Sequence, residues 1–284
     1  MLACMLLSLW PYRGSDIAPS CLRGAGQDHV TSAIRLTFRL TFGVVHLLLI
    51  AAIIAVTTGQ ANAHPSEIII LRHAEKLDQM KLCPIGRERA QALAHQYLGR
   101  GANQSLFSPG VRPAAVIAIT LHSLELATPV ANTWKLPVTT YSVLPTKDKS
   151  TLERELDGAT RTAAHRVMTD PNYTEKPVIM VWEHNHIARQ RLESHFVGQQ
   201  VTLWELFNLD HLPNVPRDWF SQNYDYFWIV HFGNPDSNIP TSFHMVKQVF
   251  QPPYDNLPTN DWGKPEPASD DAGCIKIDPN VTPH

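Results

Sequence analysis

The sequence predicts an α/β protein, a three-layer α/β/α sandwich built on a largely parallel sheet. Three short apolar runs of strand length lie at residues 67–71, 114–119 and 177–182, and segments with helical spacing of apolar residues separate them. Runs that are apolar at every position are typical of strands buried on both faces. Alternation of such strands with helices predicts parallel pairing, with the functional crevice beyond the carboxyl ends of the strands.

The helix that follows the first strand is predicted over residues 85–98, where Ile85, Ala90 and Leu93 recur at helical spacing and Gly99 follows as a stop. A second helix is predicted over residues 121–134, after the second strand. Pro129 is expected to limit or kink it, because proline removes a helical hydrogen bond.

A third helix is predicted over residues 149–168. It opens at Ser150, whose side chain is expected to cap it, with Glu153 as the capping-box partner three residues on. After the third strand a further helix is predicted over residues 187–196. Residues 225–232 and 242–250 are late strand candidates, expected to form a hairpin at the sheet edge.

The composition restricts the classes of protein to consider. With 24 Lys and Arg against 26 Asp and Glu in 284 residues, the chain is nearly neutral, which argues against nucleic-acid binding through bulk positive charge. Hydrophobic residues make up 44% and charged residues 18%, as in a globular domain with a core. Four cysteines without a Cys-x-x-Cys pair indicate neither a disulfide scaffold, a zinc ribbon nor a thioredoxin-like site.

The N-terminal segment has the layout of a secretory signal peptide. Residues 44–56 are apolar except for His46, the basic pair Arg35 and Arg39 precedes them, and a small-x-small site ends at Ala63. We therefore expect cleavage near Ala63 and export to the periplasm or the medium, with no stable membrane insertion afterwards. An uncleaved membrane anchor is the alternative, but the run falls short of the roughly 20 apolar residues that cross a bilayer.

The expected organisation is a leader and signal peptide over residues 1–63, one domain over 64–250, and an irregular tail rich in Pro, Asn and Asp over 251–284. Of the four cysteines only Cys83 and Cys274 lie beyond the leader. In an oxidising compartment they either pair or stay as two free thiols.

The strongest chemical signal is a pair of motifs at strand ends. Leu71-Arg72-His73-Ala74-Glu75-Lys76 follows the first strand, and Trp182-Glu183-His184-Asn185-His186 follows the third. An arginine binds phosphate oxygens bidentately, and a neutral imidazole beside it supplies a nucleophilic nitrogen. A second histidine stabilises the charge of the transferred phosphoryl group.

These residues resemble the histidine phosphatase superfamily, also called phosphoglycerate-mutase-like, over most of residues 67–250. The resemblance lies in Arg72-His73-Ala74 after the first strand, in Gly86, Ala90 and Leu93 of the following helix, and in the late strand that ends at His184. It implies a phosphatase that hydrolyses a phosphomonoester through a phosphohistidine, without metal or organic cofactor, and the signal peptide predicts that this phosphatase is exported. His73 would be the nucleophile, Arg72 a phosphate ligand and His184 the second active-site histidine.

The sequence departs from the family at its second phosphate-binding arginine, where His122 stands in the best alignment. A protonated His122 would partly replace that arginine and favour acidic pH. Losing one charge-assisted contact costs about 2 to 5 kcal/mol when the partner stays buried and unpaired. A catalytically impaired member that binds a phosphorylated or other anionic ligand is therefore an alternative to the enzyme.

The general acid is expected to be Glu183 or Glu153. A metal-dependent hydrolase is a further alternative, because His184 and His186 form a His-x-His pair suited to a divalent cation. The expected partner is a phosphorylated small molecule or a phosphoprotein, and not a nucleic acid.

Overall fold

A computed structural model describes residues 64–234, 237–264 and 273–275. The predicted leader and signal peptide lie outside the described residues. Among those residues there is no helix whose length and apolar character would let it span a membrane.

The core of the fold is a six-stranded sheet in which four adjacent strands run parallel. The parallel part has the order β3-β2-β4-β1, and β5 and β6 add an antiparallel hairpin beside β1. The predicted parallel sheet and edge hairpin are both confirmed. The strands are β1 (Glu67–Arg72), β2 (Ala115–Thr120), β3 (Val138–Val143), β4 (Pro177–Trp182), β5 (Tyr226–His231) and β6 (Ser242–Lys247).

Helices connect the parallel strands and cover both faces of the sheet. The longer ones are α1 (Pro84–Gln96), α2 (Leu121–Trp134) and α3 (Lys149–Thr169). Short helices follow β4, and 3-10 turns lie at Pro171–Tyr173 and Leu209–His211. The short helices are α4 (His184–Ile187), α5 (Gln190–His195) and α6 (Leu203–Leu206).

Two apolar cores lie on opposite faces of the sheet, because successive side chains of a strand point to opposite sides. In β1, Ile69 and Leu71 join the core beneath α1 and α2. Ile68 and Ile70 join the core beneath α3 and α6. The three-layer α/β/α prediction is therefore confirmed.

Two local expectations were wrong, and one strand was not predicted. The cap of α3 is Asp148, whose carboxylate accepts from the Ser150 amide at 3.1 Å. The helix expected over 187–196 is two short helices, because Ala188 and Arg189 are extended. Strand β3 is missing from the predicted strands, because it lies at the sheet edge and its partly exposed sequence contains polar residues.

Candidate active site

Neighbouring parallel strands bring the two predicted histidines together. Arg72 at the end of β1 pairs in register with Trp182 at the end of β4, and the His73 amide donates to the Trp182 carbonyl at 3.1 Å. His73 and His184 therefore leave the sheet at the same edge. This is the crevice position expected from the strand order.

The His73 ring is fully buried, and one hydrogen bond fixes its tautomer. Its Nδ1 lies 2.7 Å from the Ala74 carbonyl oxygen. Because a carbonyl only accepts, Nδ1 carries the proton and the neutral ring keeps its lone pair on Nε2. Burial lowers the pKa of His73 to about 3, against an opposing effect of Glu183. The ring is therefore neutral at physiological pH, as a nucleophile requires.

The Arg72 guanidinium lies against the segment that enters β5. It packs over the Tyr224 ring at 4.1 Å from the ring centroid, and Nη1 donates to the Ser221 carbonyl. Its Nε is buried and has no hydrogen-bond partner in the described part of the chain. The Nη1 group of the guanidinium is thus held by the protein, and the Nε–H group is left to donate to a ligand.

His184 is the first residue of α4, and both of its ring nitrogens are buried without a partner among the described residues. Burial, with a further contribution from Arg72, keeps the pKa of His184 well below its usual value. The Nε2 of His73 makes no well-aligned hydrogen bond within the described chain, and a carboxylate oxygen of Glu183 lies 3.2 Å from it. Each unpartnered buried polar group costs about 1–3 kcal/mol, so such a cluster indicates a ligand site.

Glu183 lies between His73 and Lys76. Its Oε2 is 3.2 Å from His73 Nε2, and its Oε1 is 3.5 Å from Lys76 Nζ. The Thr120 hydroxyl donates to the same Oε1 at 3.2 Å. Burial acts to raise the pKa of Glu183. The pKa lies well below its usual value only through the charges of a protonated His73 and of Lys76, and the first of these is absent when the His73 ring is neutral.

A lone pair on His73 Nε2 and an ionised Glu183 cannot face each other favourably at 3.2 Å. With His73 neutral, a proton between Nε2 and Oε2 relieves the contact, since a carboxylic acid donates and the ring nitrogen accepts. Glu183 is therefore in a position to hold a proton directly beside the reacting nitrogen. The other predicted candidate for the general acid, Glu153, lies on α3, and no contact between it and the two histidines is found in the described residues.

Lys76 is a site residue that the sequence analysis did not assign. It follows His73 by three residues, and its side chain is 23% exposed. Burial lowers the pKa of Lys76, and its charge acts on Glu183 and on three histidines of the site: His73, His122 and His184. Its place three residues after His73 in the sequence motif carries no role by itself, and the approach of its Nζ to Glu183 assigns it to the site.

His122 lies near the nucleophile, with ring centroids 5.6 Å apart. Its Nε2 is 2.9 Å from the Asp78 carbonyl oxygen, so Nε2 carries the proton and Nδ1 is an acceptor. Burial, and then the charge of Lys76, lower the pKa of His122. A cationic His122 is therefore disfavoured at neutral pH, and Lys76 is the better second cation.

The loop that follows β1 and contains Lys76 is held by contacts of Glu75 with α1 and with Cys83. Glu75 forms a buried ion pair with Arg89 of α1, Nη2 to Oε1 at 2.6 Å. The Glu75 carbonyl accepts from the Cys83 amide at 3.0 Å. A side chain at Gly86 would place Cβ 2.3 Å from that carbonyl oxygen, so glycine is required there.

A disulfide joins Cys83 to Cys274, which resolves the alternatives left open by the sequence. Next to it, the Ile275 amide donates to the Lys76 carbonyl at 2.7 Å. The short C-terminal segment 273–275 thus holds the backbone of Lys76 from the other side.

The proposed His-x-His metal pair is divided between two environments. His186 points to Asp157, with Nε2 3.0 Å from Oδ1, and both side chains are buried. The donors of His73, Glu183 and His184 do lie within 4.8 Å of one another, a set that a divalent cation would accept. The positive charges of Arg72 and Lys76 beside that set favour the binding of an anion over that of a metal cation.

No family model matches the sequence, and no curated protein matches it. Solved structures similar to the chain include a mycobacterial glucosyl-3-phosphoglycerate phosphatase in its native form (14% identity, 64% of this chain and 98% of that chain, TM-score 0.37) and with inorganic phosphate (15%, 64% and 96%, TM-score 0.35). A structure described as mycobacterial hydrolase 2 is 12% identical, covering 64% of this chain and 90% of that chain with a TM-score of 0.34. The chemistry of this chain has to be inferred from its own side chains.

Proposed function

We propose that this protein is a phosphomonoesterase of the histidine phosphatase superfamily that works through a phospho-His73 intermediate. The observation that supports it is the cluster of buried, unpartnered polar atoms on Arg72 and His184 beside the neutral imidazole of His73. The cluster combines a nucleophilic nitrogen with a guanidinium donor. A phosphate ester supplies the phosphorus for the first and the oxygens for the second.

In the first step the lone pair of His73 Nε2 attacks phosphorus, and the bond from phosphorus to the ester oxygen breaks. Glu183 gives its proton to the departing oxygen, so an alcohol leaves and a carboxylate stays. Arg72, Lys76 and His184 stabilise the phosphoryl oxygens during the transfer.

In the second step Glu183 takes a proton from water, and the oxygen of that water attacks phosphorus. The bond from phosphorus to Nε2 breaks, which releases phosphate and returns neutral His73. Glu183 regains its proton, so the cycle consumes one water molecule and needs no metal or organic cofactor. We place this reaction in an exported protein, on the basis of the predicted signal peptide.

One observation supports a second candidate, a protein that binds an anion without turnover. His122 stands where the family has an arginine, and its pKa is lowered. In that case phosphate or a stable phosphonate binds to the site, and no phosphoenzyme forms.

Hydrolysis of para-nitrophenyl phosphate from pH 4 to 8, with and without a chelator, tests the proposal. We expect turnover that survives chelation and is abolished in His73→Ala, but not in the matched surface variant His165→Ala. Radiolabelled substrate is expected to label the wild-type protein transiently and not His73→Ala. Binding of phosphate without turnover would favour the second candidate, and loss of activity on chelation would favour a metal-dependent hydrolase.

A further inference from the structure

A small cavity adjoins the nucleophile and differs in character from the anion site. Its volume is about 90 Å³. Its lining has a polar side and an apolar side. The polar side is Lys76, Gln79, Thr120, His122 and Glu183, and the apolar side is Leu121, Val143, Pro145, Leu152 and Leu156.

The polar side of this cavity lies directly beside the reacting nitrogen. Glu183, which lines the cavity, is 3.2 Å from His73 Nε2. His122, which also lines it, has its ring centroid 5.6 Å from that of His73. An ester whose phosphorus reaches Nε2 therefore has the cavity within reach of its organic group.

The apolar wall is part of the folded core and not a loose loop. Leu152 and Leu156 are one turn apart on α3, so they present one face, and both pack against the core beneath that helix. Val143, the last residue of β3, is buried and belongs to the same core. The wall is thus preformed.

Exposed apolar side chains flank the lining residues in the chain. Leu77, Met80 and Leu144 are 44%, 52% and 55% exposed, and each is directly adjacent in sequence to a residue that lines the cavity. Large apolar residues left in water next to an apolar cavity are typical of a surface that receives a ligand.

We propose that the cavity receives the leaving group and that the substrate is a monophosphate ester of a compact apolar alcohol, such as an aryl, benzyl or short alkyl group. A hydroxyl-rich leaving group is disfavoured, because hydroxyls that face Leu121, Leu152 and Leu156 find no hydrogen-bond partner there and burying them unpaired is unfavourable. A closed apolar cavity of about 150 Å³ holds a benzene molecule, so this cavity of about 90 Å³ takes part of one ring or a short alkyl chain, with the rest of the group outside it. The inference rests on the proposed phosphatase function and names its substrate class.

The test compares benzyl phosphate with glycerol 1-phosphate, both esters of primary alcohols. We expect kcat/KM for benzyl phosphate to be at least about tenfold higher, as for added apolar contacts in an enzyme pocket. Leu152→Asn is expected to remove the preference by lowering kcat/KM for benzyl phosphate about tenfold, and an unchanged circular-dichroism spectrum reports that the variant folds. Leu152→Met, which keeps an apolar side chain of similar size, is the matched control and is expected to retain the preference.

Equal rates for both esters, or a preference for glycerol 1-phosphate, would overturn the substrate class and leave the phosphatase proposal intact. If no ester is hydrolysed, calorimetry with benzylphosphonate and methylphosphonate separates the two proposals. Tighter binding of benzylphosphonate that Leu152→Asn abolishes would support the cavity while the hydrolytic function fails. Equal binding of the two phosphonates would overturn the cavity as well.

Discussion

The parallel half of the sheet and its antiparallel edge contribute to the site in opposite ways. In β1 and β4 the functional side chains come after the strand, because a parallel strand reaches the crevice with its carboxyl end. β5 runs the other way, so the residues before it reach the same crevice, and Ser221 and Tyr224 hold Arg72 there. In the proposed reaction the parallel half supplies the reacting groups, and the antiparallel edge positions one of them.

The largest effect is expected from the reacting half, at Arg72. Arg72→Lys keeps the charge but loses the planar fork that binds two phosphate oxygens and stacks on Tyr224. We expect kcat/KM to fall about 100-fold, equivalent to about 2.7 kcal/mol. A fall of less than about threefold would contradict a bidentate role. Arg191→Lys, at an exposed position of α5, is the control.

The second effect concerns stability and acid. His73 has a pKa of about 3 when folded and about 6.5 when unfolded, so the unfolded chain binds more protons between these values. The contribution of His73 to the free energy of unfolding is therefore complete above pH 6.5 and decreases as the pH falls towards 3. We expect His73 alone to account for about 2 kcal/mol between pH 6.5 and 5.

Denaturant unfolding at pH 6.5 and pH 5 checks this expectation. His73→Asn retains a donor for the Ala74 carbonyl and has no imidazole, so its pH slope is expected to be flatter by that amount. His165→Asn, at an exposed position, is expected to keep the wild-type slope. Equal slopes in wild type and His73→Asn would show that the buried ring is not held neutral.

A smaller effect is expected at Lys76, the second cation of the parallel half. Lys76→Met is expected to lower kcat/KM about tenfold, since one charge-assisted contact to phosphate is worth about 1.5–3 kcal/mol, with part of it retained by Arg72. Lys76→Arg is expected to restore most of the activity. If Lys76→Met has no effect and His122→Ala has a large one, the cation role belongs to His122.

The smallest effect is expected from the antiparallel edge. Tyr224→Leu removes the ring beneath Arg72, a contact worth about 0.5–2 kcal/mol, and is expected to lower kcat/KM about fivefold. Tyr224→Phe keeps the ring face and loses only the hydroxyl that hydrogen-bonds with Arg72, so it is expected to lower kcat/KM less than Tyr224→Leu. An effect of Tyr224→Leu as large as that of Arg72→Lys would place Tyr224 among the reacting groups.

The predictable part of the fold lies where burial is complete. The three predicted strands are apolar at every or almost every position because β1, β2 and β4 lie inside the sheet. β3 was not predicted, because an edge strand tolerates polar residues and so lacks a continuous apolar run. The break between α4 and α5 was not predicted either, because it depends on a tertiary contact. At this break the Trp219 amide donates to the Ala188 carbonyl at 2.9 Å.

The same division holds for the site. His73, His184, Arg72 and Glu183 were predictable because each directly follows or ends an apolar strand. Tyr224 was not, because it precedes β5, and a search at the carboxyl ends of strands passes over it. Lys76 lay inside the quoted motif, but only the 3.5 Å approach to Glu183 assigns it to the site.

The disulfide between Cys83 and Cys274 also sets an order in time. Its cysteines are 191 residues apart, so the bond forms only after the ribosome has made nearly all of the folded chain. Until then the backbone of Lys76 lacks the support of Ile275. A chain truncated before Cys274, or kept in a reducing cell compartment, would contain every side chain proposed to react. Its loop at Lys76 would nevertheless lack the disulfide cross-link.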